Sequence, residues 1–188
     1  KAAAYTTGSQ WMLLWGLLIS AFTTWVFVKL HILERIDAKL NLRSHWLKSV
    51  LISGAFIFLS SLLMLPWTIY QDWWREVSYD KTSQPFLDFL SQGSVSLLIS
   101  SVLGGLFFSG IYFFIRRVGQ FWWAWSGGLA TLFITSMMLL GPVFIEPLFN
   151  QYKPLPQGEV REALEVLAKQ ANISPDRIFV YDGSRQSN

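Results

Sequence analysis

Four long stretches without a charged side chain constrain this chain more than any other feature. From Ala2 to Val28 no ionisable group occurs except Tyr5, and the apolar part, Trp11 to Val28, is stopped by Lys29. At about 1.5 Å per residue that run covers roughly 27 Å, enough for the hydrocarbon core of a bilayer. The second run is about Val50 to Tyr70, between Lys48 and Asp72. The third is about Val95 to Ile115, closed by Arg116-Arg117, and the fourth about Phe121 to Ile145, ending at Gly141-Pro142 and Glu146-Pro147. None shows the period of two expected of a barrel strand, and a lipid-exposed backbone must satisfy its own hydrogen bonds, so each reads as a helix. Charged residues make up only 14% of the chain, against roughly 25% in soluble domains. The expectation is an all-α polytopic membrane helix bundle of about four spans, occupying residues 1–146, with the lipid bilayer as its partner. A secretory signal is the rival reading of the first run. That run is long for a signal core, and no small-x-small cleavage site precedes the charged stretch.

Aromatic residues mark the expected boundaries. Trp11 and Trp15 open the first span, Trp67, Tyr70, Trp73 and Trp74 close the second, and Trp122, Trp123 and Trp125 open the fourth. Indoles favour the headgroup layer, where the ring is buried and the N–H is wet; an aromatic ligand cage is the alternative. Pro66 removes one backbone donor and is expected to loosen the last turn of the second span. In the third span small residues form two stripes, Ser96, Ser100, Gly104 and Ser101, Gly105, Ser109. Such stripes let a neighbouring helix approach closely, or they line a polar cavity.

After Pro147 the composition becomes that of a soluble segment. Lys153-Pro-Leu-Pro-Gln-Gly is a linker that cannot stay helical. Glu159 to Ala171 carries Val160, Ala163, Leu164, Leu167 and Ala171 at amphipathic helical spacing, with acidic residues near its start and Lys169 near its end, as the dipole favours. Arg177 to Tyr181 reads as a short strand and Asp182-Gly183-Ser184 as a turn. Residues 147–188 therefore look like the start of a soluble α/β or α+β domain. One helix and one strand cannot bury a core of their own.

Several functions lose ground on composition. There is no cysteine, which excludes disulfides and thiolate metal sites. No basic run with interleaved aromatics points to nucleic acid. No Asp, Glu, Lys, Arg or His lies within the four apolar runs to mark an ion path, which argues against a transporter or channel subunit. A non-catalytic membrane scaffold whose tail binds a partner stays open as an alternative.

The order of elements resembles the type I CAAX prenyl endopeptidase family, integral-membrane zinc metalloproteases that carry HExxH. The likeness rests on Leu65-Pro66-Trp67 to Tyr70 with the loop to Tyr79-Asp80-Lys81, and on Arg116-Arg117-Val118-Gly119 with Trp122-Trp123. It rests more specifically on Glu146-Pro147-Leu148-Phe149-Asn150 through Pro154-Leu155, and on Ile178-Phe179-Val180-Tyr181-Asp182-Gly183-Ser184. The resemblance implies helices enclosing a water-filled chamber, a zinc cofactor, a peptide or protein substrate and a protease domain beginning at 147–188. HExxH sets two imidazoles one helical turn apart for one Zn²⁺, with the Glu activating water. Here the only histidines are His31 and His45, in the loop between the first two spans, so no catalytic or metal-ligating residue is assigned. The zinc helix is expected beyond Asn188, which would make this chain an amino-terminal portion, inactive alone. The family's substrate edge, which pairs with peptide backbone by strand addition, places Ser187 and Asn188 as substrate-binding candidates. Glu146, an acid at the membrane end of the fourth span, is a further candidate, with an interfacial carboxylate as the plainer reading.

Sidedness gives two answers. Lys29, Arg35, Lys39, Arg43, Lys48, Arg116 and Arg117 place seven cations on one side, against Lys1, Arg75, Lys81 and Lys153 on the other. Charge counting puts the tail outside the cytoplasm, whereas the resemblance implies a cytoplasm-facing tail; we adopt the latter expectation.

Overall fold

The computed structural model describes residues 2–150, 153–171, 174 and 178–180. Helix α1 runs Ala2–Lys29, α2 Ile32–Lys39, α3 His45–Thr68, α4 Arg75–Ser78, α5 Phe86–Arg117, α6 Trp122–Leu140 and α7 Glu159–Gln170. A π-helical turn, Ile69–Trp74, joins α3 to α4, so that one continuous helical rod extends from His45 to Ser78. A second π turn, Gly141–Ile145, and a tight 3₁₀ turn, Glu146–Leu148, continue α6. Among the described residues, four rods are long and apolar enough to cross a membrane: Ala3–Lys29, His45–Ser78, Phe86–Arg117 and Gly119–Leu148.

Local chemistry explains the ends. Ser44 accepts a hydrogen bond from Leu47 N at 3.3 Å and caps α3, satisfying one of the orphan amides of a first helical turn. Pro66 does not end α3. Ile69 N donates to both Leu65 O and Pro66 O, so the ladder runs on past the proline, and the π turn follows from Ile69. Between α5 and α6 the chain reverses within a few residues. Gly119 takes φ +65°, the left-handed conformation that a side chain would strain.

The rods alternate in direction. The start of α1, the end of the α3 rod and the start of α5 meet at one end; the end of α1, α2, the start of α3 and the turn after α5 meet at the other. Two contacts of Trp73 fix the first of these ends: its ring packs on Phe86 at 4.7 Å between centroids, and its indole N–H donates to Gln84 O at 2.9 Å. Trp73 is thus a staple across the α4–α5 loop as well as a boundary residue. At the second end Phe114 meets Trp125 at 5.8 Å.

The tightest seam is α3 against α5, and the small residues make it. A Cβ added at Gly105 would lie 2.8 Å from Val50 O, and one at Gly54 would lie 3.0 Å from Ser101 O. Ser109 is wholly buried there. The stripe Ser101, Gly105, Ser109 is therefore a packing surface. Ser96 and Ser100, nearer the start of α5, instead face a recess. Outside this seam the helices show apolar side chains outward: Leu13, Leu17, Leu132 and Met138 are each about two-thirds or more exposed. Among the described residues only Phe27 is an apolar side chain exposed by less than a tenth. That inverted distribution suits a molecule whose solvent is hydrocarbon.

Beyond the last rod, β1 (Lys153–Pro154) pairs antiparallel with β2 (Phe179–Val180), Lys153 opposite Val180. The linker thus closes on the predicted strand, with α7 between them. Arg161 ion-pairs within α7 with Glu165 at 2.8 Å and ties that helix to the residue after β1 by donating to Leu155 O.

Candidate functional site

Ser187 and Asn188 lie outside the described residues. Glu146 stands at the start of the 3₁₀ turn that ends the last rod, where its carbonyl accepts from Phe149 N and Asn150 N. His31 sits in the turn between α1 and α2 with φ 50°, its Nδ1 2.7 Å from Glu34 Oε2. His45 is the exposed first residue of α3. Both imidazoles are at the end opposite the tail. Among the described residues no group of three His, Cys, Asp or Glu side chains could hold a metal ion. The residues present do not fit a zinc site.

Polar chemistry concentrates instead at the tail end, around Arg75. This side chain is only 6% exposed. Its Nη2 donates to Tyr5 O at 2.6 Å and to Ser9 Oγ at 2.9 Å, while Nη1 lies 3.6 Å from Glu76 Oε1. The guanidinium stands 4.2 Å above the centre of the Tyr5 ring, and Tyr5 O–H donates to Glu76 Oε1 at 2.7 Å. Tyr79 meets Tyr5 edge-on at 5.2 Å and closes the other side. Tyr5, Gly8 and Ser9 share one face of α1, and a Cβ at Gly8 would come within 3.2 Å of Arg75 Nη2. Gly8 leaves room for the guanidinium. Charge-assisted hydrogen bonds of this kind contribute about 1.5–3 kcal/mol each, and a desolvated cation–π contact about 2. The arrangement is a clamp that fixes the start of the first rod to the end of the second.

The clamp borders a recess of about 450 Å³ lined by Ser9, Gln10, Asp72, Arg75 and Glu76 among others. It contains two carboxylates but no imidazole or thiol, so it offers hydrogen bonding rather than a nucleophile with its base. A second recess, about 530 Å³, opens between α3 and α5 and is lined by Ser60, Ser61, Thr68, Ser94, Ser96 and Ser100 interleaved with leucines. Ser60 Oγ is buried there with no hydrogen-bond partner. This is the polar cavity that the upper stripe foreshadowed.

Sequence reading missed the clamp. In the sequence Arg75 reads as an interfacial cation, because its α1 partners are some 70 residues away and no local pattern announces a pairing at that separation. The one available signal was Tyr5-x-x-Gly8-Ser9, a polar and small cluster at the head of an otherwise apolar helix.

Comparison with known proteins places this architecture. Residues 1–151 match the family model described as CAAX prenyl protease N-terminal, five membrane helices. The CAAX prenyl protease 1 of Saccharomyces cerevisiae is 28% identical over 182 residues, covering 87% of this chain and 39% of that protein. The Arabidopsis thaliana homologue of the same enzyme is 32% identical over 129 residues, 69% of this chain and 30% of that protein. Among solved structures, S. mikatae Ste24p superposes with a TM-score of 0.70 at 25% identity, covering 98% of this chain and 45% of that one. The chain thus spans well under half the length of these relatives. Its four membrane-length rods, its short terminal sheet and the match over residues 1–151 together make it a multi-pass integral membrane protein belonging to the CAAX prenyl protease family.

Proposed function

We propose that this chain is the membrane-spanning part of a zinc metalloendopeptidase that cleaves CAAX-type or other membrane-associated peptides. The observation that carries the reading is the order of elements: a family-matched helix bundle over residues 1–151, followed at one membrane face by a linker strand, an amphipathic helix and a returning strand. Relatives named CAAX prenyl protease in yeast and plants, and a Bacillus subtilis relative named a metalloprotease, support it. In this reading the metal ligands come from an HExxH helix of the full-length enzyme, because among the described residues no group of His, Cys, Asp or Glu could hold a metal ion.

The chain's own contribution is placement. The Arg75 clamp holds two rods at the tail end, β1 pairs with β2 beyond the last rod, and the serine-lined recess gives the bundle a polar face on which extended backbone can be wetted. Ser187 and Asn188, a few residues after β2 in the sequence, would offer backbone N–H and C=O groups to a substrate strand.

The test uses the protein from its intact gene, reconstituted in liposomes with a fluorogenic peptide, prenylated and unprenylated. The expected result is cleavage that 1,10-phenanthroline abolishes and Zn²⁺ restores, and that Glu→Gln in the HExxH motif eliminates. Ser187→Pro, which deletes one edge N–H, is expected to raise KM more than it lowers kcat. A gene that stops at Asn188, or that encodes no HExxH, overturns the assignment in favour of a non-catalytic membrane scaffold.

A further inference from the structure

The end of the molecule opposite the tail carries a built amphiphilic groove. It holds about 420 Å³ between α2, α3 and α5. On α3 the lining runs Ser49, Ser53, Phe56, and on α5 it runs Phe108, Tyr112, Arg116, each stripe one helical face. The two stripes have the same gradient. Ser49 and Arg116 stand at the mouth; Phe56 and Phe108 stand at the inner end, about 12 Å deeper along the helix axis. The inner wall is firm, because Phe56 packs edge-on against the buried Phe27 at 5.2 Å. The outer side is open, with Tyr112 51% and Phe108 44% exposed towards the surrounding hydrocarbon.

The charge at the mouth is uncompensated. Arg116 Nη2 donates to Ser49 Oγ at 2.9 Å and Nε to Tyr112 O at 3.2 Å, both neutral acceptors. The two carboxylates of the neighbouring helix α2 are engaged elsewhere: Glu34 with His31 at 2.7 Å, and Asp37 with Lys48 at 2.8 Å. Seven Lys or Arg residues and only these two acids occupy this end of the bundle. Arginine has five N–H donors in a planar fork that matches a phosphate. Two neutral hydrogen bonds hold the guanidinium at the groove mouth and leave the fork with donors to spare.

We propose that this groove binds one anionic phospholipid, its phosphate on Arg116 and its acyl chain along Phe56 and Phe108. Arg117 is the internal control, since it shares the bilayer depth and the local charge but does not line the groove. An electrostatic film over a basic surface would use both arginines alike; a site uses one.

The experiment takes the protein from its intact gene, purified and delipidated in neutral detergent, and measures lipid binding by native mass spectrometry. Phosphatidylglycerol is expected to bind about tenfold tighter than phosphatidylcholine with the same chains, because both offer a phosphate to Arg116 but only phosphatidylcholine sets a quaternary ammonium against the cations at this end. Arg116→Gln removes the preference, Arg116→Lys keeps part of it, and Arg117→Gln changes it less than about twofold. A phosphatidylglycerol bearing a photoreactive group in its chain is expected to label the Phe56 and Phe108 peptides in wild type. Equal affinity for the two lipids overturns the proposal, as do equal losses from both arginine variants. Displacement by millimolar inorganic phosphate, which would mean that the chain adds nothing, also overturns it. So does photolabelling spread evenly over the four rods, which reports folded protein without a site whatever the variants do.

Discussion

Replacing Gly105 with alanine adds a single methyl group to α5, and the structure sets what that methyl must displace. The new Cβ would lie 2.8 Å from Val50 O, 3.2 Å from Gly54 N and 3.3 Å from Gly54 Cα, all of them backbone atoms of α3 that no rotamer change can move. Ordinary contact begins at 3.4 Å, so α3 must retreat by about half an ångström, which forfeits roughly a quarter of the attraction at each contact along the seam. Overpacking of this kind costs about 1–3 kcal/mol, and the better helix propensity of alanine returns at most about 1 kcal/mol. The net destabilisation is about 1–2 kcal/mol, which for a chain of this size lowers Tm by about 3–6 °C. Gly93→Ala is the matched control on the same helix, because a Cβ there meets nothing within 4 Å. Thermal unfolding in detergent, followed through the ten tryptophans, is expected to show a lower Tm for the first variant and an unchanged or higher one for the second. Equal shifts in the two would refute the claim that α3 and α5 are held at backbone contact by glycine.

Arg75→Gln leaves Glu76 and the Tyr5 carbonyl without their cation and is expected to destabilise the fold by about 3 kcal/mol, read in the same melt; Arg75→Lys restores only part, since one ammonium cannot both fork to Tyr5 and Ser9 and lie flat on the ring. Ser44→Ala removes the cap of α3, and because that hydrogen bond is long at 3.3 Å the loss is expected at the low end of its class, about 0.5 kcal/mol, a Tm shift under about 2 °C.

The runs without charge showed that helices cross a membrane, and where, because insertion into hydrocarbon is decided by local composition. They understated helix length. The third rod starts at Phe86 rather than Val95 because the nine residues before Val95 include Asp88, Gln92 and Ser94, too polar to count as a span yet free to wind as a helix at the interface. The second continues through Pro66 and passes by a π turn at Ile69–Trp74 to Ser78, a path that no residue pattern dictates. The reversal at Gly119 was legible, since a short loop with one glycine between two apolar runs admits few conformations. The pairing of β1 with β2 was not: the linker read as loop, and two-residue strands carry no period. Of the site, the residue types were readable. The convergence of Tyr5, Ser9 and Arg75 was not, because it depends on which helix ends meet.

The central claim is that four rods cross the bilayer in alternation and bring the tail to the same face as the Arg75 clamp. The chain has no cysteine, so single cysteines placed at the exposed positions Ser83, Gln157, Asn41 and Gln120 can be labelled with a membrane-impermeant maleimide in sealed vesicles without background. The account predicts that Ser83→Cys and Gln157→Cys react together from one side, and that Asn41→Cys and Gln120→Cys react together from the other. Reaction of all four from one side, or of Ser83→Cys and Asn41→Cys as a pair, would contradict it.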